Sequence, residues 1–192
     1  MKPEFAPLFD YFQQIQPISQ ETKTAISAIS TIIQIEKGID LQAVGKTCKT
    51  IYFVKEGLAR IYYLKGGTDI TEYFAFDNDM IIRAESLFTG KPSQKAIQAL
   101  EKTSFVAIPA DKLFQLFDQH ADLERLFRKL TERAYVDTVN RMESLQFHTA
   151  EERYQALLDN SPNLLQRIPL KHIASYLGIT QVSLSRIRAS IR

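Results

Sequence analysis

The chain has 192 residues, 45% hydrophobic and 24% charged, with a formal net charge of +2 from 24 basic and 22 acidic side chains. That is room for one large domain, or a medium one with a small companion, in the composition of an ordinary globular protein. A single cysteine, Cys48, excludes an intrachain disulfide and any multi-cysteine zinc or iron–sulfur site, and the scattered His120, His148 and His172 lack metal-ligand spacing and read as surface or helix-end residues.

The first ten residues, Met1 to Asp10, hold no uninterrupted apolar core for a signal peptide. No run approaches the roughly 20 apolar residues that span a bilayer, so a cytoplasmic location without a membrane partner is expected. Phe5 to Ile33 reads as a helical lead-in broken at Pro7 and Pro17. Ser19 is placed to cap a helix that turns Ile26, and Ile29 or Ile33, inward.

From about Ile32 to Pro109 the period changes. Thr50–Gly57, Leu58–Leu64 and Thr68–Phe76 are rich in β-branched and aromatic residues, and Lys65-Gly66-Gly67 is a turn signal. Further strands are predicted near Ile81, over Ala96–Ala99 and over Ser104–Ile108. Short strands with turns at this spacing argue for an antiparallel sandwich or barrel.

After Pro109 the pattern is helical. Asp111–Phe117 predicts a short helix with Leu113, Phe114 and Phe117 on its buried side. A long helix, about 40 Å at about 1.5 Å per residue, runs without Gly or Pro from about Asp122 to Phe147. It carries two apolar seams: Leu123, Phe127, Leu130 and Ala134, then Tyr135, Val139, Met142 and Leu145 or Gln146. One small β domain cannot cover both, so the same helix of a second subunit is the expected partner, in a twofold dimer. Thr149-Ala-Glu-Glu-Arg-Tyr154 looks like a cap with an acidic first turn, and the helix it starts ends near Asn160-Ser161-Pro162.

The last stretch, Leu170-Lys-His-Ile-Ala-Ser-Tyr-Leu-Gly-Ile-Thr-Gln-Val-Ser-Leu-Ser-Arg-Ile-Arg188, predicts two short helices around a tight turn. Ile173 and Leu177 share one face, and Leu184 and Ile187 share another. Ala174 is small where the helices cross, Gly178 ends the first, Ile179 plugs the elbow and Thr180 caps the second. This is a helix-turn-helix pattern. Its second helix leaves Gln181, Val182, Ser183, Ser185 and Arg186 outward, side chains of the kind that read a major groove. Charge follows the same division. Residues 1–109 carry twelve basic and twelve acidic side chains, residues 110–159 seven and ten, and residues 160–192 five basic and none acidic. A basic terminal module suits a phosphate backbone.

This order of elements resembles the cyclic-AMP receptor protein and fumarate–nitrate regulator (CRP/FNR) family over nearly the whole chain. The resemblance is most specific at Tyr52-Phe-Val-Lys-Glu-Gly57-Leu-Ala-Arg60, at Glu85-Ser-Leu-Phe-Thr-Gly-Lys-Pro-Ser93 and over Ile173–Ile187. It implies an α+β chain: a double-stranded, jelly-roll-like β-roll sensor domain of the cyclic-nucleotide-binding type over residues 1–118, a long dimerisation helix over 119–147, and a helix-turn-helix DNA-binding domain over 148–192. It further implies a homodimer on double-stranded DNA, with half-sites about 34–36 Å apart, and RNA polymerase as a further candidate partner. Arg186 is the first choice for a base contact, with Gln181, Val182, Ser183 and Ser185 beside it, while Lys171, Thr180 and Arg188 are assigned to phosphates.

Cyclic-nucleotide-binding members of the family carry Gly-Glu-Leu and, after an interval, Arg-Ser/Thr-Ala. Anchored on Leu87-Phe88 and Ala96, the first triplet falls on Arg83-Ala84-Glu85 and the Arg-Ser pair on Gln94-Lys95. The phosphate-binding arginine is missing at its place, so cyclic AMP is not expected to bind. Arg83, Glu85, Ser86, Leu87, Gln94 and Lys95 outline a pocket that is empty, filled by side chains or used for another ligand. No histidine lies in the β-roll segment to ligate a haem, and neither cofactor nor metal is expected. The reading is therefore a transcription regulator, not an enzyme: no Ser/His/Asp order, metal cluster or phosphate-cradling Gly loop is present. The alternative is a small-molecule sensor whose helix-turn-helix does not read DNA.

Overall fold

The computed structural model describes residues 3–160 and 164–190. The chain opens with helices α1 (Ala6–Ile15) and α2 (Gln20–Ile29). Pro7 does not break α1; it sits in the first turn, where a missing N–H costs nothing. Ser19 caps α2 as expected, its hydroxyl accepting the Thr22 N–H at 3.1 Å. Ile26 is buried, but Ile33 belongs to a strand and not to this helix.

Eight strands follow: β1 (Thr31–Ile35), β2 (Asp40–Gln42), β3 (Thr50–Glu56), β4 (Ala59–Lys65), β5 (Thr68–Ala75), β6 (Met80–Ile81), β7 (Ala96–Ala99) and β8 (Thr103–Pro109). The short helix α3 (Ala84–Thr89) lies between β6 and β7. The strands form two antiparallel sheets, β1-β8-β3-β6 and β2-β7-β4-β5. The six strands expected from sequence are present; β1 and β2 were hidden because both are short and only partly buried.

Alternation along the strands builds three apolar clusters among the described residues. Val54, Ala59, Ile61, Ala75, Ile97 and Phe105 fill the space between the sheets. Ile51, Phe53, Val106 and Ile108 point the other way, onto α1, α2 and the helices that follow the roll. Leu58, Phe74 and Leu100 leave the outer face of the second sheet for a third cluster, shared with the C-terminal helices.

Helix α4 (Ala110–Phe117) leads into α5 (Ala121–Phe147). Leu113 of α4 is buried, whereas Phe114 is 37% exposed and not on the buried side. The two seams of α5 part company. Leu123 is buried on α1 and α4, with Phe127 and Leu130 packed beside it. Tyr135 (71% exposed), Met142 and Leu145 belong to the second seam and remain exposed.

The remaining helices are α6 (Ala150–Asn160), α7 (Leu164–Arg167), α8 (Leu170–Leu177) and α9 (Gln181–Ser190). Thr149 and Glu152 form a reciprocal capping box at the start of α6, with bonds of 2.7 and 3.2 Å. The expected helix end was near Asn160-Ser161-Pro162: α6 is described as far as Asn160, and Ser161 and Pro162 lie outside the described residues. No helix among the described residues is long and apolar enough to cross a membrane.

Candidate nucleic-acid interface and its seat on the β-roll

Helices α8 and α9 make the tight turn expected of Gly178 and Thr180. Gly178 has φ +72°, a left-handed conformation that glycine adopts without strain, and the Ile179 N–H returns to the Ala174 carbonyl at 3.0 Å. Thr180 caps α9 by accepting the Ser183 N–H at 3.1 Å. Ile173, Ala174, Leu177 and Leu184 are buried between the helices and the roll.

Gln181, Val182, Ser185 and Arg186 stand exposed on α9, with Val182 at 62%. Ser183 is half-buried, its hydroxyl 3.0 Å from that of Thr180, so it serves the cap first. Lys171 and Thr180 are exposed, and Arg188 is half-buried. The predicted DNA-binding set is thus gathered on the first turn of α8, the elbow and the outer side of α9.

Arg167, counted in the basic module from sequence, faces away from this surface. It donates to Asp77 Oδ2 at 2.9 Å, to Glu101 Oε1 at 2.6 Å and to the Gly57 carbonyl at 2.9 Å. It is a clamp onto the β-roll.

A second clamp was not foreseen at all. Arg60 of β4 is 2% exposed and donates to both Asp69 oxygens, at 2.5 and 2.7 Å. It also reaches Gln98 Oε1 at 2.8 Å, Thr71 Oγ1 at 3.0 Å and His172 Nδ1 of α8 at 2.8 Å. Burial alone would raise the Asp69 carboxyl, but its bonds to Arg60 hold it below the usual carboxylate range. Ser175 Oγ accepts the Thr71 N–H at 3.1 Å, and the Phe74 and Tyr176 rings lie 5.1 Å apart. At the far end of α8, Arg153 donates to the Leu177 carbonyl at 2.9 Å, and Arg141 of α5 donates to that of Tyr176. Both cations meet a helix C-terminus, where the dipole favours them.

His172 is therefore no surface residue; it is 6% exposed. An arginine always donates, so Nδ1 must accept and the ring is neutral. Burial, then repulsion from Arg60, pushes its pKa from 6.5 down to about 4. The unfolded chain takes up this proton near the ordinary value, so the contribution is complete above about pH 6.5 and is lost as pH falls toward 4. The expected loss at pH 4 is about 3 kcal/mol. Urea unfolding at pH 7 and pH 4.5 checks it against His172→Asn, whose carbonyl can accept the same bond without titrating. An equal pH dependence in both proteins would remove His172 as the source.

The cassette residues do not converge on an open site. Arg83, 6% exposed, donates to Ser93 Oγ at 3.3 Å and lies 3.7 Å from Glu72 Oε1. Lys95 is paired with the other oxygen of the same carboxylate, under the ring of Tyr63. Ser86 Oγ is spent on the Cys48 N–H at 2.9 Å and the Lys91 carbonyl at 2.5 Å. Leu87 packs on the helical cluster, while Glu85 and Gln94 are exposed. No group of three or more potential metal ligands is assembled among the described residues.

Residues 32–120 match the family of cyclic nucleotide-binding domains. FixK2 of Bradyrhizobium japonicum superposes with a TM-score of 0.73 at 21% identity, over 85% of this chain and 84% of its own. The chain has the CRP/FNR fold. The c-di-GMP responsive global regulator CLP of Xanthomonas campestris shares that CRP/FNR fold at TM-score 0.71 and 14% identity, over 90% of this chain and 91% of its own. The catabolite activator protein of Thermus thermophilus aligns over 97% and 86%, at TM-score 0.58 and 19% identity. No curated protein sequence matches the chain significantly.

Proposed function

We propose that the protein is a homodimeric, sequence-specific DNA-binding transcription regulator that does not respond to cyclic AMP and has no enzymatic activity. The observation that carries the reading is α9: a capped helix whose apolar side is sealed while Gln181, Val182, Ser185 and Arg186 stay exposed. Such groups on a helix of this size fit a major groove, with Arg186 pairing guanine and Lys171, Thr180 and Arg188 on phosphates. The exposed seam Tyr135–Met142–Leu145 supports a twofold pairing of α5 with a second copy. CLP, a global regulator that shares the fold, supports the same role.

The silence toward cyclic AMP rests on Glu72. Arg83 and Lys95, the cations that the cassette offers, both face its carboxylate, which leaves the cyclic phosphate a negative neighbour where it needs a free guanidinium.

Selection of duplex DNA from a randomised pool, without ligand and near physiological salt, tests the proposal. Enrichment of an inverted repeat is expected. Arg186→Ala is expected to weaken binding by about 1–3 kcal/mol and to relax preference at one base position in each half-site. A variant that kept both affinity and preference would take Arg186 out of the reading set. No enrichment, with or without cyclic nucleotides and a metabolite mixture, would favour a sensor that does not read DNA.

A further inference from the structure

A cleft of about 410 Å³ opens between the helical layer and the roll, bounded by α1, the end of β5, β6, α3, α4 and α5. That volume lies within the range of small-molecule sites. It is not the nucleotide cassette: its walls do not include Arg83, Ser86, Gln94 or Lys95. It lies on the side of the first sheet where Ile51 and Met80 face the helices, whereas the roll interior on the other side is filled by Val54, Ile61, Ile97 and Phe105.

The two ends of the cleft differ in chemistry. One end is aromatic, with Phe88, Phe114, Phe117 and Phe127; Phe88 is 65% exposed beside the nearly parallel ring of Phe114. The other end carries Tyr11, Tyr73 and the Asp79 carboxylate, with Arg133 and Asp137 on the same wall. Asp79 Oδ2 accepts the Phe76 N–H at 2.9 Å, yet no cation lies within 4 Å of this carboxylate among the described residues. Arg128 and Arg133 also line the cleft; Arg133 acts on the Asp79 carboxylate from beyond 4 Å and lies 4.0 Å from Asp137, while Arg128 pairs with Glu132. Burial pushes the Asp79 carboxyl above its ordinary value. A carboxylate half out of water, walled by aromatic rings, gains from an incoming cation, and ring faces attract the same cation.

We propose that this cleft binds an organic ammonium ion on an aromatic body, its nitrogen between Tyr11, Tyr73 and the Asp79 carboxylate, its rings among Phe88, Phe114 and Phe127. One wall is α5 itself, so the ligand would touch the helix that carries both the exposed seam and Arg141, the donor to α8.

The chain contains no tryptophan, so the fluorescence of an indole probe is read without background from that residue. The full-length protein is titrated with tryptamine and with indole-3-propionate, the same ring with opposite charge. Tryptamine is expected to saturate a site, and the acid to bind at least about tenfold more weakly. Asp79→Asn keeps a carbonyl for the Phe76 N–H and is expected to abolish the discrimination. Ala134→Phe, which fills one wall, is expected to weaken both ligands; thermal unfolding shows whether it folds, and if it does not, Asp79→Asn decides alone. Absence of saturable tryptamine binding, equal binding of the acid, or discrimination that survives Asp79→Asn overturns the proposal. A second copy of the chain filling the cleft would give the first of these results. The assay contains no DNA, so its outcome leaves the regulator reading to its own test.

Discussion

Arg60→Met is expected to destabilise the protein by about 3 kcal/mol and to loosen the helix-turn-helix from the β-roll. Methionine preserves the length of the stem but removes every donor. Asp69, Gln98 and Thr71 then lose their shared partner within the second sheet, and His172 loses its partner across to α8. Breaking a buried ion pair by removing one member costs about 3–5 kcal/mol, because the other charge is left behind. The lower end applies, since the Asp69 side chain keeps 37% exposure and water can reach it. Denaturant unfolding measures the loss. Protection of α8 amides from hydrogen exchange should fall further than that of β3 and β8, and a uniform fall would show that Arg60 serves the sheet alone.

Gly57→Ala is expected to cost at least as much, about 3 kcal/mol or more, through the backbone and not through charge. Gly57 joins β3 to β4 at φ +118°, where a side chain is strained, and a Cβ there would stand 2.8 Å from the Thr103 Cα. That neighbour is backbone and cannot turn aside. The site is tied on three sides: the Gly57 N–H donates to Asp77 at 2.6 Å, its carbonyl accepts from Arg167, and Leu58 N–H donates to Thr103 Oγ1 at 3.2 Å. A thermal midpoint of the alanine variant within a degree or two of the parent protein would mean that the turn relaxes, and would refute the strain argument.

Local order was the legible part of this chain. The caps at Ser19, Thr149 and Thr180 and the left-handed Gly178 are written in short-range residue types, and all lie where their spacing put them. The long helix was equally plain, because nothing in residues 122–147 can end one. What the sequence hid was pairing across distance. Arg60 and His172 are 112 positions apart, and Arg167 and Asp77 are 90 apart; no local pattern links them. By alternation an arginine between Ala59 and Ile61 reads as solvent-facing, and only the fold lays α8 over that face, where Asp69 of the paired strand meets the charge. The cassette shows the converse. Its departures from the family pattern were visible as missing residues, but the engagement of Glu72 with Arg83 and Lys95 depends on a bulge in β5, which shifts register between Ile61 and Tyr62.

The third apolar cluster bears on what counts as an exchangeable part. Leu58, Phe74 and Leu100 belong by sequence to the β-roll, yet they close the core in which Tyr154, Ile173, Leu177 and Leu184 are buried. Cutting the chain after α5 therefore divides a hydrophobic core and not a linker. A graft of residues 148–192 onto another sensor would bring half of an interior with it and expose three large side chains on the part left behind. The unit that holds this core together is discontinuous, comprising the C-terminal helices together with the β4–β5 hairpin and the flanking Leu58 and Leu100. A recombination event that respects only the linear order of the chain would break it.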